Sequence, residues 1–338
     1  MKIRFGIIGC GYIASRHARH ILAHPMAQLT GAFDHDQLVS QKFCNEFNIA
    51  HFKSKEDFLK NENVDIVNIC TPNGTHHSIC IDSLRAGKHV LVEKPMALSS
   101  IDCNRMIEVA KKCNREIFVV KQNRFNPPVQ ELKKLIAGEK LGKIFMVSVN
   151  CFWNRNGDYY KNSLWKGKKD LDGGALFTQF SHFIDIFYYL FGDISGINGL
   201  IDNMGHKGLV EFEDSGCFTF RFLNGALGSL SFTTASYKEN MEGSIIVFSE
   251  NATIKIGGKY LNTIEYQKTN GFDVNGKFEA IPPNNYGHYE GSMSNHDKVI
   301  HNVVETLNKR ETIMTNAQEG MKVVEIIERF YSAAKTSS

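Results

Sequence analysis

The sequence has no apolar run approaching the ~20 residues that a membrane helix needs. Its first strand-like stretch carries Gly6 and Gly9, an interruption too early for a signal-peptide core. No Cys-x-x-Cys pair occurs among the eight cysteines, at 10, 44, 70, 80, 103, 113, 151 and 217. Buried free thiols in a reducing cytoplasm are therefore the expectation. There is little net charge, +3 over 338 residues, so nothing electrostatic argues for nucleic acid or a membrane surface. Internal repeats, low-complexity tracts and metal-ligand spacings are also missing; the 13 histidines are scattered, and His76-His77 alone makes no metal site. What remains is an ordinary globular composition, 42% hydrophobic, in a chain long enough for two domains.

Residues 1–120 alternate apolar runs with helical patterns. The runs are Ile3–Ile8, Leu29–Phe33, Val64–Cys70, His89–Val92 and Ile117–Val120. Between them lie Ile13–His24, Gln37–Phe47, His76–Ala86 and Ile101–Cys113. This order predicts an α/β domain on a parallel, doubly wound sheet. Ser54 followed by Asp57, and Ser99 followed by Asp102, read as helix starts. Gly9-Cys10-Gly11-Tyr12-Ile13-Ala14 is a G-x-G-x-x-A pattern between a strand and a helix. Gly9 permits a tight turn, Gly11 lets the backbone approach a pyrophosphate, and Ala14 allows close helix packing. The helix N-terminus adds free N–H groups and partial positive charge. A glycine turn without a ligand is the plain alternative. Asp34, at the end of the second strand, can accept hydrogen bonds from ribose hydroxyls and would repel a 2′-phosphate, which favours NAD over NADP.

Two further segments lie at the carboxyl ends of strands, where open α/β sheets place ligands: Thr71-Pro72-Asn73-Gly74-Thr75-His76 and the stretch from Ala86 to Pro95. Glu93 and Lys94 at the end of a buried strand are costly unless used or paired, and Pro95 suits a cis bond. Together these motifs resemble the Gfo/Idh/MocA oxidoreductases over nearly the whole chain, most strongly over 5–125 and 165–192. The resemblance implies an N-terminal Rossmann domain, 1–122. It implies a C-terminal α/β domain, 123–338, built on a large open, mostly antiparallel sheet through which members form homodimers or homotetramers. It further implies that NAD contacts Gly9, Gly11, Tyr12, Ile13, Asp34, Thr71, Pro72, Asn73, His76, Glu93, Lys94 and Gln122, with Lys94 beside both nicotinamide and substrate.

Gln122–Asn126 precede Pro127-Pro128, which begin a helix, and the domain join is placed there. Strand-like alternation fills Lys143–Phe152, Gly216–Phe222, Gly225–Thr233 and Gly243–Phe248. Ala175–Phe191 is too long for a strand and reads as one buried helix, with Gly173-Gly174 before it and Gly192 after it. Thr178, His182 and Asp185 then fall at i, i+4 and i+7 on one face. A core histidine bonded to Asp185 explains that stripe. The family's G-G-x-L-x-D-x-x-x-H helix offers another account: its final histidine, the acid/base, matches His182, and Thr178 stands where Asp or Asn is usual. An ordinary imidazole titrates near ~6.5 and can accept a proton at neutral pH.

Arg155-Asn156-Gly157-Asp158-Tyr159-Tyr160, followed by Leu164-Trp165-Lys166-Gly167 and Leu171-Asp172-Gly173-Gly174, narrows the likeness. It resembles the UDP-N-acetylglucosaminuronate 3-dehydrogenases (WlbA/WbpB type) of bacterial polysaccharide pathways. That likeness implies that Arg155, Tyr159, Tyr160 and Trp165 line a sugar-nucleotide pocket. Arg124, Lys166, Lys168 and Lys169 could add forks for a diphosphate and a carboxylate, and Trp153 a stacking face. An exposed basic loop is the alternative. Tyr286–His296 opens a late helix and offers Ser292 and Ser294 to phosphate, or merely caps the helix. The expected function is NAD-dependent oxidation of a sugar hydroxyl, at C3 of UDP-N-acetylglucosaminuronate or a related nucleotide sugar, with Lys94, His182 and Thr178 at the chemistry. An inositol or simple aldose dehydrogenase, and an NAD-binding sensor with little turnover, are the alternatives.

Overall fold

The computed structural model describes residues 1–274, 283–285 and 290–336. The chain opens as β1 (Ile3–Ile8), α1 (Tyr12–Ala23), β2 (Ala27–Phe33), α2 (Gln37–Phe47), β3 (Ala50–His51), α3 (Lys55–Lys60), β4 (Ile66–Ile69), α4 (His76–Arg85), β5 (His89–Val92), α5 (Ser100–Cys113) and β6 (Ile117–Val119). The six strands make one sheet in the order β3-β2-β1-β4-β5-β6, every pair parallel. Val67 of β4 and Val90, Leu91 and Val92 of β5 are completely buried. A parallel sheet covered on both faces requires such continuous apolar strands. The expected helix starts are real: Ser54 accepts from the Asp57 N–H at 3.0 Å, and Ser99 from the Asp102 N–H at 3.1 Å. The strand order reverses between β1 and β4, the switch point where such sheets bind ligands.

The chain continues through α6 (Pro127–Ala137), β7 (Ile144–Phe152), α7 (Gly157–Lys161), α8 (Ala175–Thr178), α9 (Ser181–Phe191), β8 (Ile194–Asp202), β9 (Ser215–Phe222), β10 (Leu227–Thr233), β11 (Glu242–Ser249), β12 (Ala252–Gly257) and β13 (Thr263–Thr269). After a short hairpin, β14 (Pro283–Asn285) and β15 (Glu290–Met293), come α10 (His296–Leu307), α11 (Ala317–Ala333) and β16 (Ala334–Thr336). The larger sheet runs β13-β12-β11-β7-β10-β9-β8-β16. Only β7–β10 and β8–β16 pair in parallel; the other pairs are antiparallel. Phe218, Phe220 and Phe222 alternate along β9 into the covered face. There Phe220 meets Phe187 of α9 at 5.4 Å, and Phe218 meets Phe330 of α11 at 4.7 Å between ring centroids.

By packing, the chain divides into two units, Met1–Lys121 with His296–Val324, and Gln122–Asn295 with Glu325–Ser338. Residues 296–324, which the sequence assigns to a second domain at 123–338, group with the first unit. Six cysteines are buried, but Cys113 is half-buried and Cys217 is exposed. Among the described residues, no helix is long and apolar enough to cross a membrane.

The single helix expected over 175–191 is two helices. The backbone N–H groups of Gln179 and Phe180 both donate to the Ala175 carbonyl, at 2.9 and 3.0 Å. The second is an i→i+5 bond, which widens the turn. Tertiary packing accounts for it: the Phe180 ring is fully buried, 4.6 Å from Phe232 and 6.4 Å from Trp153. The proposed stripe is therefore broken, and only His182 and Asp185 keep helical phase, at i and i+3 on α9.

Asp185 forms a buried fork with Arg124, whose Nε and Nη2 donate at 2.9 and 2.8 Å, and the guanidinium also lies 4.7 Å from the Tyr189 ring centroid. Removing one partner of such a pair strands a charge. Asp185→Ala should lower stability by about 3–5 kcal/mol, whereas Asp185→Ala combined with Arg124→Leu should recover most of that loss. Urea unfolding of both variants checks this; equal losses would contradict it.

Candidate active site

In the first unit, β1 delivers its glycine turn at the switch point. Gly9 has φ +89°, and a Cβ there would lie 2.8 Å from the carbonyl carbon and oxygen of Cys70 and from Cγ2 of Thr71. Only glycine fits this approach of the turn to the end of β4. Gly11 differs. It caps α1 with φ −80°, and nothing lies within 4 Å of an added Cβ. Its openness is what a pyrophosphate lying on the backbone requires, with the α1 N–H groups and dipole behind it. Ala14 is fully buried, whereas Tyr12 is exposed beside the turn. Asp34 closes β2, and its carboxylate accepts from the Cys10 N–H at 2.7 Å and the Asp36 N–H at 3.0 Å, with His35 2.9 Å away. The acid is thus fixed against the glycine turn. These residues fit an NAD molecule.

Lys94 follows β5 and is half-buried; its bond to Pro95 is cis. Its backbone N–H donates to Oε2 of Glu93 at 3.1 Å, while Oε1 of Glu93 meets Nε2 of His17 at 2.8 Å. Burial alone would push the Glu93 carboxyl up. The hydrogen bond and charge of His17, with His296 and Lys94, outweigh it and hold the group down to about 2. Glu93 thereby places a permanent negative charge beside Lys94. Nε2 of His296 lies 3.9 Å from the same oxygen, and burial pushes its imidazole well below the ordinary range. His17, Glu93 and His296 could offer one ligand atom each to a metal. The His17–Glu93 hydrogen bond already occupies two of those atoms, and Arg16 and Lys94 bring positive charge to the same spot. His76, expected against the cofactor, is instead a buried brace: its ring nitrogens lie 2.8 Å from the Pro95 carbonyl and 3.0 Å from that of Thr71. Burial lowers its pKa, so the neutral ring carries one proton and donates to one carbonyl at a time. Asn73 is buried in the same loop, with Thr71 and Pro72 half-buried.

In the second unit, His182 and Thr178 are both buried, 6% and 7% exposed. Thr178 bonds to Asp172: its hydroxyl donates to the carboxylate Oδ1 and lies 2.9 Å from the Asp172 carbonyl. Gly174 starts α8 with φ +131°, and an added Cβ would lie 2.1 Å from the Tyr331 hydroxyl, so only glycine fits at 174. That hydroxyl donates to Glu213 at 2.6 Å, and the Leu176 N–H donates to the same oxygen at 3.3 Å. Burial pushes Glu213 up to about 7 despite these donors.

The residues expected to form a nucleotide-sugar pocket are mostly enclosed. Arg155 is 1% exposed, and its guanidinium donates to Gln179 at 2.9 Å, to the Asn154 carbonyl at 2.6 Å and to Asn240 at 3.2 Å. Tyr159 and Tyr160 pack with Val210, and the Tyr159 hydroxyl accepts from Gln179 at 2.8 Å. Trp153 is buried under the Arg155 guanidinium. Lys166 lies 3.8 Å from the Tyr159 ring centroid, Lys168 pairs with Glu211 at 3.2 Å, and Trp165 and Ser294 are half-buried. Gln122 is buried in the short helical turn Gln122–Phe125. The Ser292 side chain and residues 286–289 lie outside what the structure describes. Glu213 and Gln179 have no local signature in the sequence. His17 carried a signal, a polar side chain among the buried Ala14, Ala18 and Ile21 of α1.

A parallel sheet that offers an open glycine backbone at its switch point, followed by a helix-covered and mostly antiparallel sheet, is the architecture of an NAD-binding oxidoreductase. Family models match both parts: residues 3–121 match the oxidoreductase family's NAD-binding Rossmann fold, and 133–338 its C-terminal alpha/beta domain. The chain belongs to the Gfo/Idh/MocA oxidoreductase family. It is 32% identical to the WlbA dehydrogenase of Bordetella pertussis, solved with NADH and UDP-GlcNAcA, over 98% of this chain and 96% of that one, with a TM-score of 0.88. The Chromobacterium violaceum WlbA, solved with the same ligands, is 31% identical over 98% and 93%, with a TM-score of 0.89. The 2,7-anhydro-N-acetylneuraminate hydratase of Escherichia coli is 28% identical over 80% of this chain and 69% of its own length.

Because the backbone at Gly11 is ordinary and the space beside it open, Gly11→Val should cost about 1 kcal/mol of stability at most, the loss of a favoured cap residue. It should weaken NAD binding at least ~tenfold, because the side chain would stand where the pyrophosphate approaches. Calorimetric titration with NAD, beside a thermal melt, separates the two effects. Glu213 makes a pH prediction. Its value of about 7 lies above the ordinary 4.5, so the folded protein binds this proton more tightly than the unfolded chain. The associated stability is complete below about pH 4.5 and is lost as pH rises toward 7. Glu213→Gln, which keeps an acceptor, should gain on the wild type across that window by on the order of 3 kcal/mol. Denaturant midpoints of both proteins at pH 4.5 and 7.5 measure it; parallel curves would refute the burial effect.

Proposed function

We propose that this oxidoreductase removes hydrogen from a sugar hydroxyl, at C3 of UDP-N-acetylglucosaminuronate or a closely related nucleotide sugar. The observation that carries this reading is the likeness over 98% of the chain to two dehydrogenases solved with NADH and UDP-GlcNAcA. NAD, when bound, supplies the hydride acceptor. In this reading His182 accepts the proton of the reacting hydroxyl. Lys94 donates a hydrogen bond to the same oxygen as negative charge develops on it, and its position is set through the Glu93 clamp on its backbone N–H. The glycine turn, Asp34 and Thr71–Asn73 hold the dinucleotide, and the protein works as a homodimer or homotetramer in the cytoplasm. The aligned apolar side chains Met146, Leu227 and Phe248, exposed on neighbouring strands β7, β10 and β11, support the oligomer.

One observation favours a second reading. Arg124 and Arg155, the expected diphosphate forks, are both engaged in buried internal contacts. An inositol or simple aldose needs no such forks. NADH formation from NAD with UDP-N-acetylglucosaminuronate, UDP-N-acetylglucosamine, myo-inositol and glucose separates the two. The nucleotide sugars should react fastest, and His182→Asn and Lys94→Ala should each lower turnover by about 10²–10³-fold while NAD still binds. Reaction with inositol alone would support the second reading. NAD binding without NADH from any alcohol would mark a sensor, and full activity in either variant would contradict the assigned roles.

A further inference from the structure

Position 178 departs from the family pattern, which places an acid or its amide there. The structure nevertheless puts a carboxylate directly behind that point. Asp172, on the loop before α8, is 1% exposed. Its Oδ1 receives the Thr178 hydroxyl, and its Oδ2 receives the backbone N–H of Gly167 at 2.7 Å. Its own N–H donates to the Lys168 carbonyl at 2.7 Å, so the acid is held by its backbone as well as by its side chain. Gly167, Gly173 and Gly174 all have positive φ, which folds this loop back onto the start of α8.

This arrangement fixes the chemistry of Thr178. A hydroxyl has one proton, and here it is directed to Asp172. Toward any further partner, such as a ligand hydroxyl, the Thr178 oxygen can only accept. Acceptance is also what a carboxylate at 178 would offer. The difference is charge: the full negative charge sits one hydrogen bond farther back, while the hydroxyl at 178 is neutral. Two like charges close together in a poorly solvated site repel strongly, and one added bond length with hydrogen bonding on the far side reduces that cost. A neutral acceptor in front therefore suits a sugar that carries its own carboxylate.

We infer that Asp172 is a positioning residue of this site: through the Thr178 hydroxyl it supplies the acceptor that an acid at 178 would supply, while keeping its charge out of contact with an acidic sugar. The inference rests on the nucleotide-sugar reading above and deepens it, by giving a reason for preference toward a uronate.

The test is steady-state kinetics with UDP-N-acetylglucosaminuronate and with UDP-N-acetylglucosamine, which lacks the carboxylate. Asp172→Asn is near-isosteric but cannot accept from both Thr178 and Gly167. Thr178→Val keeps the shape of Thr178 and removes its hydroxyl. Both should lower kcat on the uronate by about tenfold or more, with KM within about twofold. Thr178→Ser, which restores the hydroxyl, should recover most of the turnover that Thr178→Val loses, so the test survives if Asp172→Asn fails to fold. Thr178→Asp combined with Asp172→Asn brings the charge forward without setting two carboxylates against each other; it should raise the preference for the neutral sugar over the uronate, as a ratio of kcat/KM, by about tenfold. A purely structural role for Asp172 would lower stability and leave the kcat and KM of the folded Asp172→Asn enzyme unchanged. An active wild type with indifferent Asp172→Asn and Thr178→Val overturns the inference alone. A wild type that makes no NADH from either nucleotide sugar overturns the underlying reading and this inference with it.

Discussion

The close approach of the Gly9 turn to the end of β4 is the constraint on which the first unit depends. A Cβ at Gly9 would meet the Cys70 carbonyl at 2.8 Å. Without one, the chain turns tightly enough for α1 to begin at Tyr12, three residues after Gly9, with Gly11 as its open cap. Asp34 reinforces the turn from the next strand by accepting the Cys10 N–H. The open backbone at Gly11, with the N-terminus of α1 behind it, is the feature of this sheet end that suits a phosphate. The second unit uses the same device for a different purpose: Gly174, packed against the Tyr331 hydroxyl, sets the start of the segment that carries Thr178 and His182.

Four buried carboxylates show how the environment sets the state of one chemical group. Glu93 is held ionised by His17, His296 and Lys94 against the effect of its burial. Glu213 receives neutral donors, from Tyr331 and the start of α8, and burial prevails. Asp185 is matched by the Arg124 fork. Asp172 is satisfied by a hydroxyl and a backbone N–H. An ionised acid inside a protein needs a cation or several donors, and the kind of partner decides whether it serves as a fixed charge, a proton store or a brace.

The first unit was legible because its signals are local. Each strand of its sheet except the two-residue β3 is a short apolar run, the helices have periodic faces, and Gly9 and Gly11 sit between a strand and a helix. Ser54 and Ser99 mark helix starts within four residues of chain. The second unit was legible in outline, through alternation along β7, β9, β10 and β11. Local pattern and structure part company where partners lie far apart in sequence. The helix through Ala175–Phe191 breaks because Phe180 is drawn into a pocket made by Trp153 and Phe232. Asp185, a plausible partner for His182 at i+3, is taken by Arg124, sixty-one residues earlier. Arg155 and the Tyr159–Tyr160 pair read as a ligand surface, but their partners, Gln179, Asn240 and Val210, enclose them.

The amino-acid sequence by itself determined the main strands and helices of the first unit, the parallel sheet with its dinucleotide turn, the family, and the identity of Lys94 and His182 as candidates. Periodicity, turn chemistry and short motifs act over a few residues, so they are written directly in the chain. Only the tertiary structure decided which buried acids are charged, which arginines are already paired, and that Asp172 stands behind Thr178. Those outcomes depend on desolvation and on partners that distant segments bring together, and neither has a signature in local sequence.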